Sequence, residues 1–208
     1  MAGVVGERYS CSNTMNTASL GDAEPAIDRL ALPGPYGVIM TGRNVQPKVI
    51  SSQEGPTYRV GGQLVTCIAR ASDTNGVYAL FETHTAPGQG TGLYRQQYED
   101  ESFWVLEGTY SFVVSSEQFM LAAGSYIYVP RRTPHGYANS GDGPARMLVL
   151  ATPGAVCERF IADAGARATG KDSSGQPGEQ VDVSRLLSVA QKYGIEILPW
   201  DTPTDRSS

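Results

Sequence analysis

Histidine is almost absent from this chain, with two among 208 residues, His84 and His135, and cysteine is scarce, with three. Imidazole is the commonest nitrogen donor to a first-row metal, so any metal site here is poor in nitrogen. Cys11, Cys67 and Cys157 stand far apart with no Cys-x-x-Cys spacing, which argues against a zinc knuckle and a disulfide framework and suits a reducing interior. The chain lacks any apolar run near the roughly 18 residues of a membrane span, and it opens without a basic segment leading into an apolar one. Positive charge is not in excess: 16 Lys and Arg stand against 21 Asp and Glu, for a formal net charge of -5, and the basic residues form no stripe. Nucleic acid and membrane are therefore not expected as partners, and the expectation is a cytoplasmic protein that takes a small, neutral or apolar molecule.

What is present is punctuation and short β-prone runs. At 208 residues the chain suits one sizeable core with tails. Residues 1–22 are rich in Ser, Asn, Thr and Gly without a hydrophobic period, and read as a flexible arm or a strand that orders on a partner. Beyond them, Leu64–Ile68, Val77–Thr85, Phe103–Leu106, Tyr110–Val114, Phe119–Leu121, Tyr126–Val129 and Met147–Ala151 are β-prone runs parted by Gly, Pro, Asn and Asp. Many short strands at close spacing predict an all-β sandwich or barrel. Two helices follow: Val156, Phe160, Ile161 and Ala164 draw one apolar face, and Val183, Leu186, Leu187 and Ala190 draw another, capped by Asp182 and stopped at Gly194. Ala168–Gln180 between them reads as a loop. The organisation is an N-terminal arm at 1–34, a barrel at 35–154 and a helical segment at 155–208 that covers the outside or one mouth of the barrel.

Two spaced motifs lie inside the barrel region. The first places Gly88, Tyr94, Gln96, Glu101 and Gly108; the second places Gly124, Pro130, Arg132, His135 and Asn139. This spacing resembles the two motifs of the cupins, with Tyr94 and Gln96 where that family has two histidines and Arg132 where it has a glycine. Thr57–Gly62, Pro87–Gly90, Glu99–Gly108, Val129–His135, Leu150–Gly154 and the run Leu187–Leu198 are similar to the single-domain, quercetin dioxygenase-like cupins of bacteria, the last run matching that group's C-terminal helix. The resemblance implies an all-β cupin, a double-stranded β-helix or jelly-roll barrel with C-terminal helices. It also implies a homodimer in which the N-terminal region is exchanged.

In the family, the positions of Glu101 and His135 hold a metal. An amide is a weak neutral donor and a phenol ligates well only as phenolate, so the changed motif points to a pocket that keeps its shape without a cofactor. The alternative is one divalent ion such as nickel, iron, manganese or zinc on Glu101, His135 and Gln96, or with a displaced His84. Tyr94 and Gln96 share a strand face, which the resemblance makes the inward one; they either fill the space of two histidines or orient a substrate. His135, Glu101 and Tyr94 are the catalytic candidates, and Gln96, Tyr94, Tyr137 and Arg132 the substrate-binding ones. Arg132 either pairs with Glu101 or a substrate carboxylate, or lies on the surface. Glu99 and Asp100 read as a solvated acidic turn, and Trp104 as core or subunit interface. The leading expectation is a metal-independent enzyme of secondary metabolism that isomerises or cyclises an aromatic or polyketide-like molecule by acid–base catalysis. A metal-dependent flavonol dioxygenase and a non-catalytic small-molecule-binding cupin are the alternatives.

Overall fold

Alternation of inward apolar and outward polar residues builds the molecule, and the computed structural model describes it for residues 47–50, 54–168 and 182–199. Along the chain lie β1 (Thr57–Val60), β2 (Gln63–Ala69), β3 (Ala79–Thr85), β4 (Tyr94–Gln96), β5 (Asp100–Glu107), β6 (Thr109–Val114), β7 (Glu117–Ala122), β8 (Tyr126–Val129), β9 (His135–Asn139) and β10 (Ala145–Thr152). Then come α1 (Val156–Ala164), β11 (Ala166–Arg167), α2 (Val183–Lys192) and β12 (Ile195–Ile197). The expected arm at 1–34 and Cys11 lie outside the described residues, as does most of the loop after Ala168.

Two antiparallel sheets form a jelly roll, one in the order β11-β1-β2-β3-β10-β5-β8 and the other in the order β12-β4-β9-β6-β7. In β3, Ala79, Phe81, Thr83 and Thr85 turn inward; in β10, Ala145, Met147, Val149 and Ala151 do the same. Phe103 from the first sheet meets Phe112 and Tyr137 from the second, with ring centroids 5.2 and 5.7 Å apart. Burying each such ring contributes about 1.5–3 kcal/mol, so these contacts hold the two sheets face to face.

Six of the seven β-prone runs lie within strands, and the seventh, Val77–Thr85, begins two residues before β3; β1, β4, β9, β11 and β12 fall outside the runs. His135-Gly-Tyr-Ala-Asn139 carries Gly and Asn, which are poor strand formers, and it is held extended by pairing with β4 on one side and β6 on the other. Both expected helices form. Asp182 caps α2 by accepting the Arg185 N–H at 3.0 Å, and Gly194 follows the helix with a φ of 67°. The buried face of α2 keeps only half of the one the apolar spacing drew: Ala190 is buried and Leu186 partly so, whereas Val183 and Leu187 are exposed and Val189 and Tyr193 turn inward instead. Residues 195–197 correct the expectation of a helix to Leu198: they form β12, because β4 offers an open edge that pairs Ile195 with Gln96 and Ile197 with Tyr94.

Candidate functional site

Strand parity carries Glu101 inside. In β5, Glu101, Phe103 and Val105 point into the molecule and Ser102, Trp104 and Leu106 point out. Trp104 is 54% exposed, so it is not a core residue. On the facing sheet, β4 turns Tyr94 and Gln96 inward and sends Arg95 out to Glu196, while β9 turns His135, Tyr137 and Asn139 inward. Tyr94 stands across from His135 in the register, with ring centroids 4.3 Å apart. Gly136 permits this approach, because a Cβ there would sit 2.7 Å from the Gly92 carbonyl oxygen.

Three of the residues singled out from the motifs then form one hydrogen-bonded group. His135 Nε2 lies 3.0 Å from Glu101 Oε2, and the Tyr94 hydroxyl donates to Glu101 Oε1 at 3.3 Å. His135 Nδ1 is 2.8 Å from the Thr133 carbonyl oxygen, which can only accept, so Nδ1 carries a hydrogen. A neutral ring would then aim a bare lone pair at the carboxylate. One proton must therefore lie on the Nε2–Oε2 line, borne by one group or the other. Burial lowers the basicity of His135, but the hydrogen bond and charge of Glu101 outweigh it and hold the imidazole above its ordinary value. Burial, followed by the charge of Glu101, pushes the Tyr94 phenol well above its own.

A cavity of about 170 Å³ opens beside this group. Tyr94, Gln96, Glu101 and Tyr137 stand on its wall among apolar neighbours such as Val65, Phe81, Phe103 and Val149, and α1 and α2 close one side with Phe160, Ile161 and Leu186. His135 is not on that wall. It is buried behind Glu101 and Tyr94, and it reaches the cavity only through them. Arg132 is exposed and also off the wall; its φ of 68° explains the family's glycine at that position, and its backbone N–H donates to the Gln96 carbonyl at 2.6 Å. His84 lies on the outer face of β3, 3.0 Å from Glu82, so it cannot serve as a displaced ligand.

The acidic triplet is not a solvated turn. Asp100 accepts from the Arg131 backbone and guanidinium at 2.8 to 2.9 Å. Glu99 is buried and accepts the N–H groups of Val156 and Cys157 at 2.7 Å each, capping α1. Burial pushes its carboxyl up to about 7 against the pull of these N–H groups. Glu99 has the parity of Glu101, which is the signal by which the sequence could have placed it inside. Also unanticipated is a second polar group: Tyr110 donates to Thr85 at 3.0 Å, and Thr85 and Tyr137 both donate to Gln63 Oε1, at 3.2 and 3.0 Å. Thr85 is legible from its alternation with Phe81 and Thr83, and Gln63, at the start of β2, from its parity with Val65 and Cys67.

Gln96 is 2% exposed, and its side-chain oxygen has no hydrogen-bond partner. As a metal site the set is short of donors. Glu101 and His135 are the only strong ones and are turned to each other, Tyr94 is held as a neutral phenol, and Gln96 offers one amide oxygen. Catalytic zinc sites use three protein ligands, and the described residues hold no cluster of three His, Cys, Asp or Glu with metal-binding geometry. The residues present do not fit a tightly held divalent ion.

The chain is 28% identical over 91 residues to quercetin 2,3-dioxygenase of Bacillus subtilis, covering 44% of this chain and 27% of that protein. It is 26% identical over 108 residues to the tetracenomycin polyketide synthase protein TcmJ of Streptomyces glaucescens, covering 51% of this chain and 71% of that protein. Among solved structures, the polyketide cyclase RemF of Streptomyces resistomycificus superposes with a TM-score of 0.46 at 21% identity, covering 52% of this chain and 80% of that one. No helix among the described residues is long and apolar enough to cross a membrane. Residues 81–151, from the inward Phe81 of β3 to the inward Ala151 of β10, match the model of the cupin domain, and that stretch supplies Tyr94, Glu101 and His135.

Proposed function

We propose that this protein is an enzyme that isomerises or cyclises an enolisable, aromatic or polyketide-like small molecule by acid–base catalysis in the jelly-roll cavity. One observation carries the reading: Glu101 faces the cavity while it is held from behind by the His135 imidazole and the Tyr94 hydroxyl. Glu101 is the proton-transferring group. It takes a proton from a carbon next to a substrate carbonyl, and the released electron pair forms the enolate. In isomerisation the proton returns at another carbon. In ring closure the enolate carbon attacks a second carbonyl, a carbon–carbon bond forms as the carbonyl π bond breaks, and the new alkoxide takes the proton back from Glu101. Neither outcome needs an oxidant. His135 does not touch the substrate; it holds Glu101 in place and sets which partner carries the shared proton.

The likeness to TcmJ supports the polyketide-like substrate class. The cavity limits how much of it enters. At about 170 Å³ it is close to the roughly 150 Å³ that holds one benzene in an engineered cavity, so one ring inserts and the remainder stays at the mouth.

The test is deuterium exchange into the acidic C–H of a hydroxylated aryl β-diketone in heavy water, followed by NMR. The native protein is expected to exceed the buffer rate, and Glu101→Gln to lower the catalysed rate by about 10²- to 10⁴-fold. A native protein no faster than buffer, or an unchanged Glu101→Gln variant, sinks this reading. Oxygen uptake with opening of a flavonol ring supports the dioxygenase in its place.

A further inference from the structure

We propose that Gln96 selects the substrate by accepting a hydrogen bond from a hydroxyl on the inserted ring, so that the cavity takes a free phenol or enol in preference to its ether. The inference rests on the reading of the cavity as the substrate site. Among the polar side chains on the wall, Gln63, Thr83, Thr91, Tyr94, Glu101 and Tyr137 spend polar atoms on the protein. Tyr94 donates to Glu101, Glu101 accepts from both Tyr94 and His135, and Tyr137 donates to Gln63. Gln96 is the exception: it lines the cavity, is 2% exposed, and leaves its oxygen without a partner.

Its orientation follows from its neighbours. Gln96 acts on the Cys157 thiol, lowering its pKa against the effect of burial, and Cys157 is itself fixed because its backbone N–H is bound to Glu99 at 2.7 Å. On the backbone side, the Gln96 carbonyl accepts from the Arg132 N–H at 2.6 Å, and Gln96 pairs with Ile195 of β12. The residue is thus held, with its side-chain oxygen left as an acceptor. An amide oxygen can only accept, and an unmet buried acceptor costs free energy that a donor on the ligand recovers. The complementary group is therefore an O–H or N–H. On a ring derived from carbonyl units, that group is a phenolic or enolic hydroxyl.

Binding of phenol, anisole and toluene to the full-length protein, followed by ligand-observed NMR, decides the matter. Anisole has the ring and the oxygen of phenol but no hydrogen to donate. Phenol is expected to bind about tenfold more tightly than anisole, the worth of one buried neutral hydrogen bond. Gln96→Met keeps the length of the side chain without its polar atoms, and is expected to bring the phenol-to-anisole ratio near one while toluene binding holds or rises. Anisole binding as tightly as phenol to the native protein overturns the inference, and that comparison stands even if the variant does not fold. A preference that survives in Gln96→Met also overturns it. These readouts involve no turnover. A native preference for phenol without Glu101-dependent exchange keeps Gln96 as the selecting residue and sinks the acid–base reading, whereas exchange without the preference does the reverse.

Discussion

A carboxylate that shares a proton with an imidazole at 3.0 Å inside a protein ties stability to pH in a definite direction. The folded-state value of His135 is raised above its unfolded value, because Glu101 overcomes the effect of burial. Its contribution to stability is therefore fully present below about pH 6.5 and is lost as the pH rises through the folded value. Urea unfolding of the native protein between about pH 6 and pH 9 is expected to show this decline, and Glu101→Gln is expected to flatten it. Parallel slopes in the two proteins contradict the pairing. The motif spacing makes Glu101, Tyr94 and Gln96 legible as inward residues, since strand parity is a property of the chain. It does not reveal that His135 lies behind the cavity wall or that Arg132 points to solvent. Those outcomes depend on the turn before β9, where Arg132 takes up a left-handed conformation.

At the scale of elements, the start of α1 is fastened to β5 by one side chain. Glu99 accepts the N–H groups of both Val156 and Cys157, and it thereby sets where Cys157 meets Gln96. Glu99→Ala leaves two buried donors without an acceptor and is expected to destabilise the fold by about 2 kcal/mol. It is also expected to speed modification of Cys157, which is buried and free in the folded protein. Chemical denaturation and thiol labelling measure the two effects. Labelling no faster than in the native protein means that Glu99 does not position the helix. The helices were legible from their spacing and caps, but the buried face of α2 was only half so. Two apolar stripes overlap on that helix, and only the position of Phe160 and β12 selects the one that packs.

For the molecule as a whole, the donor set argues for function without a resident ion. Protein purified without added metal is expected to hold well below one equivalent of nickel, iron, manganese or zinc, and chelation is expected to leave its activity intact. Elemental analysis before and after chelation checks this. One firmly bound ion per chain, with activity lost on its removal, favours the flavonol dioxygenase and overturns the metal-independent reading.

The order of residues by itself determined the fold class, because period-two alternation and turn residues leave few ways to bury Phe81, Phe103, Phe112, Met147 and their neighbours. It also determined which positions could face inward, and that the site would be poor in imidazole. Tertiary structure alone decided which inward groups meet. Glu101 and His135 are 34 residues apart and come from strands of different sheets, Gln63 and Tyr137 are 74 apart, and no local pattern encodes either pairing. Nor does any local pattern state that Gln96 ends with an unmet oxygen. That follows from the sum of its surroundings, where Arg132 and Ile195 hold the backbone of the residue and the side-chain oxygen is left as a buried acceptor without a partner.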